Sequence, residues 1–107
     1  MLINLTNHPS NKWDLNQTKQ ANLEYGEIVD LPFPNIGTDM TISEIIVLAN
    51  DFLTKIINLL NGKTNNAVHI AGEFVFVYNL VKLLETNNIK AITSVTERNV
   101  IEEEKGI

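Results

Sequence analysis

The chain has no cysteine, which removes disulfides, thiolate nucleophiles and thiolate metal sites together and fits a reducing compartment. Its two histidines are too few to build a metal centre, so neither a metal nor a cofactor is expected. Basic residues are scarce: 8 against 13 acids, a net charge of -5, with Arg98 the only arginine. Such a molecule repels polyanions and lacks the basic footprint that holds duplex nucleic acid. A compact anion is a different matter, because helix N-terminal amides and one local cation can bind phosphate against an unfavourable net charge. No apolar run reaches spanning length, and Met1 to Leu5 has no basic region ahead of it, so the expectation is no membrane insertion, no secretion and a cytoplasmic location. The fingerprints G-x-G-x-x-G and G-x-x-x-x-G-K-[ST] are also missing, which disfavours conventional dinucleotide and ATP sites.

What remains is globular in composition: 107 residues, 44% hydrophobic and 20% charged, enough for one core without staples. Leu2 to Thr6 reads as a buried strand, ended by Asn7-His8-Pro9-Ser10. Asp14 with Gln17 suggests a capping box for a mostly polar helix that runs to Tyr25 and stops at Gly26. Glu27 to Leu31 is a second strand, halted by Pro32-Phe33-Pro34. Thr41-x-x-Glu44 is a second capping box, followed by apolar residues at helical spacing from Ile42 to Leu60, with Gly62 as terminator. Ala67 to Ala71 forms a third strand, Phe74 to Leu84 a helix apolar almost all round, and Ile89 to Val95 a fourth strand. The all-round character predicts burial on several sides, with the run Phe74, Phe76, Val77, Tyr78 in the core and a partner chain on one flank.

Strands alternating with helices through short loops predict right-handed crossovers and a single α/β, Rossmann-like domain over residues 1–101, with an acidic tail at 102–107. The expected sheet is four-stranded and mostly parallel, in the order 2-1-3-4, flanked by three helices. Ligands in such sheets bind beyond the carboxyl ends of the strands. The candidate binding residues are therefore those at the four exits: Asn7, His8 and Ser10, then Phe33, then Gly72 and Glu73, and finally Thr96 and Arg98. An arginine there suits bidentate contact with phosphate, although a surface ion pair to Glu97 or Glu73 would account for it equally. His8 and Ser10 offer an imidazole that titrates near neutrality and a hydroxyl, yet Asn, Pro and Ser together also make an ordinary side-chain-capped turn. Gly72 permits close backbone approach. Glu73 is a candidate acid or base that the helix dipole alone would also place in a first turn. Phe33 and Trp13 offer stacking surfaces, and His69, inside the third strand, reads as a core or interface histidine.

Four blocks carry a family resemblance: Leu2 through Ser10 with Lys12-Trp13, Val29 through Pro34, Val68 through Glu73, and Thr93 through Arg98. In these the chain resembles the small stand-alone accessory proteins of type III CRISPR systems related to CARF domains, a group of ring nucleases and cyclic-oligoadenylate binders. The resemblance implies a homodimer or larger homo-oligomer that clamps a cyclic oligoadenylate, the four-membered ring by preference, across its symmetric interface. Asn7, His8 and Ser10 would lie beside the ring, Gly72 and Glu73 would bind through backbone amides or order the loop, and Thr96 and Arg98 would hold phosphate. His8, Ser10 and Glu73 would be the catalytic candidates for a metal-independent ring nuclease, a reaction that needs an aligned ribose hydroxyl and stabilised charge. A protein that sequesters the ring uncut is the other form of the same reading. Two rivals come from other classes: a non-enzymatic Rossmann-like dimerisation module, and a nucleotide or sugar-phosphate hydrolase or transferase with Glu73 as acid or nucleophile.

Overall fold

The computed structural model describes residues 1–93; the expectations placed on Thr96, Glu97, Arg98 and the tail at 102–107 lie outside the described residues. The strands are β1 (Leu2–Leu5), β2 (Ile28–Asp30), β3 (Ala67–Ile70) and β4 (Lys90–Ile92), and the helices are α1 (Leu15–Tyr25), α2 (Ile42–Leu60) and α3 (Phe74–Thr86). All pairings are parallel, and the order is β2-β1-β3-β4, as the alternation of strand and helix predicts.

Alternate residues of a strand face opposite sides of the sheet, and this sorts the interior into two cores. Ile3, Leu5, Val68 and Ile70 pack with Ile45, Ala49, Phe52 and Ile56 of α2 and with Phe76, Leu80 and Leu84 of α3. On the other face Leu2, Ala21 and Ala67 form a smaller cluster with Trp13, Tyr25, Ile28 and Ile92 against it. Among the described residues, one face thus carries two helices and the other only α1. A parallel sheet is normally covered on both sides; among the described residues, the region over β3 and β4 beside α1 is thinly roofed.

The helix boundaries follow the local signals. Asp14 accepts from Gln17 N at 2.8 Å, and Gly26 closes α1 at a φ of 88°, a conformation that suits glycine. At α2 both halves of the capping box form: Glu44 N donates to Thr41 Oγ1 at 3.1 Å, and Thr41 N donates to Glu44 Oε1 at 2.8 Å.

One packing expectation fails. Within Phe74, Phe76, Val77 and Tyr78, only Phe76 is fully buried, while Phe74 is 75% and Tyr78 53% exposed. The helical period explains it: Phe76, Leu80 and Leu84 share the face that meets the sheet and α2, and residues 74 and 78 fall on another. Phe74 and Tyr78 instead stack on each other, with ring centroids 6.1 Å apart, and Lys82 Nζ stands 5.3 Å over the Tyr78 ring.

Candidate functional site

The register places Asn4 beside Asp30 of β2 and beside His69 of β3, so these three polar side chains form a row across the sheet near the carboxyl ends of its strands. Asn4 is 1% exposed, and a buried carboxamide must find partners for all its polar atoms. It does so fully. Its Nδ2 donates to Asp30 Oδ1 at 2.8 Å and to the His8 carbonyl at 2.9 Å. Its Oδ1 meets Thr6 Oγ1 at 3.1 Å and His69 Nδ1 at 3.2 Å.

The β1 exit is clamped from the same row. Asp30 accepts from the Ser10 backbone N–H at 3.0 Å and from Ser10 Oγ at 2.9 Å, which ties the turn of 3-10 helix at Ser10–Lys12 to β2. Burial works to raise the Asp30 pKa, but the hydrogen bonds from Asn4 and Ser10 together outweigh it and hold the carboxyl below its ordinary 3.8. The His8 carbonyl also accepts from Trp13 Nε1 at 3.3 Å, and the His8 N–H donates to Thr6 Oγ1 at 3.0 Å. The backbone of Asn7 to Ser10 is therefore fixed by side chains below it, while the Asn7 and His8 side chains stand in solvent. Among the described residues nothing hydrogen-bonds the His8 imidazole.

At the β3 exit the candidates have structural occupations. Glu73 is the N-cap of α3, accepting from Phe76 N at 2.8 Å, the role a carboxylate at a helix start takes for the backbone's sake. A Cβ on Gly72 would stand 2.3 Å from Phe33 Cζ. Phe33 in turn meets Phe76 edge to face at 5.2 Å, so its ring is committed to the core side of the loop.

Two clefts open at the carboxyl edge. One, of about 180 Å³, runs between the exits of β1 and β2 and is lined by Asn4, Thr6, Asn7, Asp30, Pro32 and Phe33 among others. The other, of about 440 Å³, lies between α3 and the ends of β3 and β4, with Ile70, Gly72, Phe74, Val77, Val81 and Thr93 on its walls. Phe33 borders the first, and Gly72, against which it packs, borders the second. The fold thus brings Asn7, Phe33 and Gly72 to one edge, with Ser10 clamped behind Asp30 and Glu73 turned to its cap. Thr96 and Arg98 lie outside the described residues. Among the described residues no group of three or more His, Cys, Asp or Glu side chains could hold a metal ion, and no helix is long and apolar enough to cross a membrane.

Reasoning from the strand exits missed Asn4, Thr6 and Asp30, because they sit inside or directly against the strands. The signal was there: Asn4 interrupts Leu2-Ile3-Asn4-Leu5, and Asp30 follows Ile28-Val29. A polar residue in an apolar strand needs an internal partner.

A family model described as "Uncharacterized protein MJ1673 family" matches residues 1–106. No curated protein and no solved structure matches the chain.

Proposed function

The chain belongs to that family, and from its site we propose that it binds a cyclic oligoadenylate, the four-membered ring by preference, at the carboxyl edge of the sheet between the exits of β1 and β3. The observation that carries this is the clamped Asn7–Ser10 segment. β1 leads to β2 on one side and β3 to β4 on the other, so their exit loops part at the point where open α/β sheets take ligands. The Asn7–Ser10 segment, which leaves β1 beside that point, is ordered from beneath and exposes an amide and an imidazole that bond to nothing else among the described residues. Preorganisation of this kind lowers the entropic cost of binding.

The same geometry favours holding the ring over cutting it. Ser10 Oγ donates to Asp30 and Glu73 caps α3, which leaves His8, of these three candidates, as the group free to move a proton. In this reading the protein is a cytoplasmic antiviral component that sequesters its messenger, with the ring shared across a homodimer.

Calorimetry with cyclic tetra-adenylate, with the ligand recovered and chromatographed, tests it alongside Asn7→Ala and His8→Ala. Binding that weakens in both variants with the ring recovered intact marks a sequestering protein. Linear products that vanish in His8→Ala mark a ring nuclease. Absence of binding at micromolar protein sinks the proposal and puts forward an interaction module, which the exposed Phe74 and Tyr78 pair would serve.

A further inference from the structure

The α1 face of the sheet holds a cleft of about 310 Å³ between α1 and the β3–β4 side, bordered by Trp13, Gln17, Gln20, Tyr25, His69 and Ile92. That volume lies near the lower end of small-molecule sites, about 300–1,000 Å³. The cleft is separate from the Asn7–Ser10 edge, and its chemistry is independent of the cyclic-nucleotide reading.

His69 is oriented by a chain of hydrogen-bond logic. The Asn4 amide nitrogen faces two acceptors, the Asp30 carboxylate and the His8 carbonyl, so the carboxamide cannot be turned over without setting oxygen against oxygen. Its Oδ1 therefore faces His69 Nδ1 at 3.2 Å. An oxygen that only accepts requires the proton on that nitrogen. His69 is thus the Nδ1–H tautomer, and Nε2, which has no hydrogen-bond partner among the described residues, carries a lone pair. Trp13 fixes the ring from the side, edge to face at 5.6 Å. Burial pushes the imidazole below its ordinary 6.5, which keeps that lone pair available at neutral pH.

The rest of the lining specifies the partner of this acceptor. Trp13 and Tyr25 supply aromatic surface. Gln17 and Gln20, three residues apart on α1, offer side-chain amides that bond to nothing else among the described residues, and such amides read donor and acceptor edges of a planar ring. Among the described residues Glu24 is the charged side chain on the lining and opposes a phosphate, while Lys90 Nζ, 5.9 Å over the Tyr25 ring, lies off it. We propose that this cleft binds an uncharged heteroaromatic ligand bearing an amino group, of the chemical class of the amino-substituted nucleosides, and that His69 Nε2 accepts a hydrogen bond from that group.

The test uses the whole chain, ¹⁵N-labelled at histidine, with adenosine as probe. Long-range proton–nitrogen NMR reads the tautomer directly. The expected result is the Nδ1–H form in the free protein and movement of the Nε2 resonance on adding adenosine. Purine riboside, which lacks the amino group, should bind roughly three- to tenfold more weakly, the worth of one neutral hydrogen bond. Adenosine monophosphate should be weaker than adenosine. His69→Phe keeps a ring and removes the acceptor, and it should lose the preference for adenosine over purine riboside. An Nε2–H tautomer in the free protein, or an Nε2 resonance unmoved at millimolar adenosine, overturns the proposal. Failure to bind cyclic tetra-adenylate leaves it standing, so the two readings are judged separately.

Discussion

Gly72 and Phe33 occupy adjoining space that admits no side chain between them, since a Cβ at position 72 would stand 2.3 Å from Cζ of the Phe33 ring and within 2.6 Å of two further ring carbons. The β3 exit and the loop after β2 are locked together by that contact.

Gly72→Ala should therefore destabilise the chain by about 1–3 kcal/mol, the usual range for overpacking, read as a lower urea midpoint. In the Phe33→Ala background the same substitution should cost less, because the clash with the ring is gone and the backbone cost of a side chain at a φ of 158° is what remains. Equal costs in both backgrounds would contradict the contact.

Asn4 is the central member of the polar row, and its loss strands partners in two strands and a loop. Asn4→Leu should cost about 2–4 kcal/mol in chemical denaturation, from unsatisfied buried groups. Asn4→Asp should be worse at neutral pH, where its carboxylate would face Asp30 Oδ1 and the His8 carbonyl, and part of that deficit should be recovered in acid.

Ser10→Ala removes the hydroxyl bond to Asp30 and keeps the backbone one. We expect a loss of about 1 kcal/mol or less, with ligand binding retained; Asp30→Ala, which releases Asn4 as well as Ser10, should be the more damaging of the pair. Abolished turnover in Ser10→Ala with binding intact would instead mark Ser10 as catalytic.

Stability should fall with acidification through two separate windows. Both shifted groups have native pKa values below their ordinary ones, His69 below 6.5 and Asp30 below 3.8. In each case the unfolded chain takes up its proton first as the pH drops, so folding is favoured above the ordinary value and loses ground below it. Midpoints of urea unfolding should decline from about pH 6.5 downward and again below about pH 4. His69→Phe should remove the first decline and leave the second.

Thr41→Ala breaks the capping box at α2 by removing the acceptor for Glu44 N. About 1 kcal/mol is expected, visible as a lower thermal midpoint, because the first turn of α2 is left with one more unpaired backbone N–H.

The order of the sheet was legible because strands alternate with helices, so chain connectivity and handedness left few arrangements. The helix ends were legible for the same local reasons, from Asp14 and Gly26 to the reciprocal pair Thr41 and Glu44. Phe74 and Tyr78 were misplaced because hydrophobicity alone does not say how many neighbours a helix has; α2 and the sheet cover two sides of α3 and no more among the described residues. For the candidate residues, the place in the chain was legible and the bonding was not. Counting outward from strand ends found Ser10 and Glu73, but whether a hydroxyl or carboxylate is free depends on what lies across the sheet. For Ser10 the answer was Asp30, 20 residues away along the chain.

The strands hold three or four residues each, a depth of roughly 10–14 Å at about 3.3 Å per residue. The row formed by Leu2, Ile28, Ala67 and Lys90 at the amino ends lies two residues from the row formed by Asn4, Asp30, His69 and Ile92. A deeper sheet can drift at its far end while its carboxyl edge stands still; in this one there is no far end. A substitution at Ala67 or Ile28 reaches the polar row through one intervening layer, so tolerance to sequence change should be low along the whole length of the sheet, and fold and site should vary together.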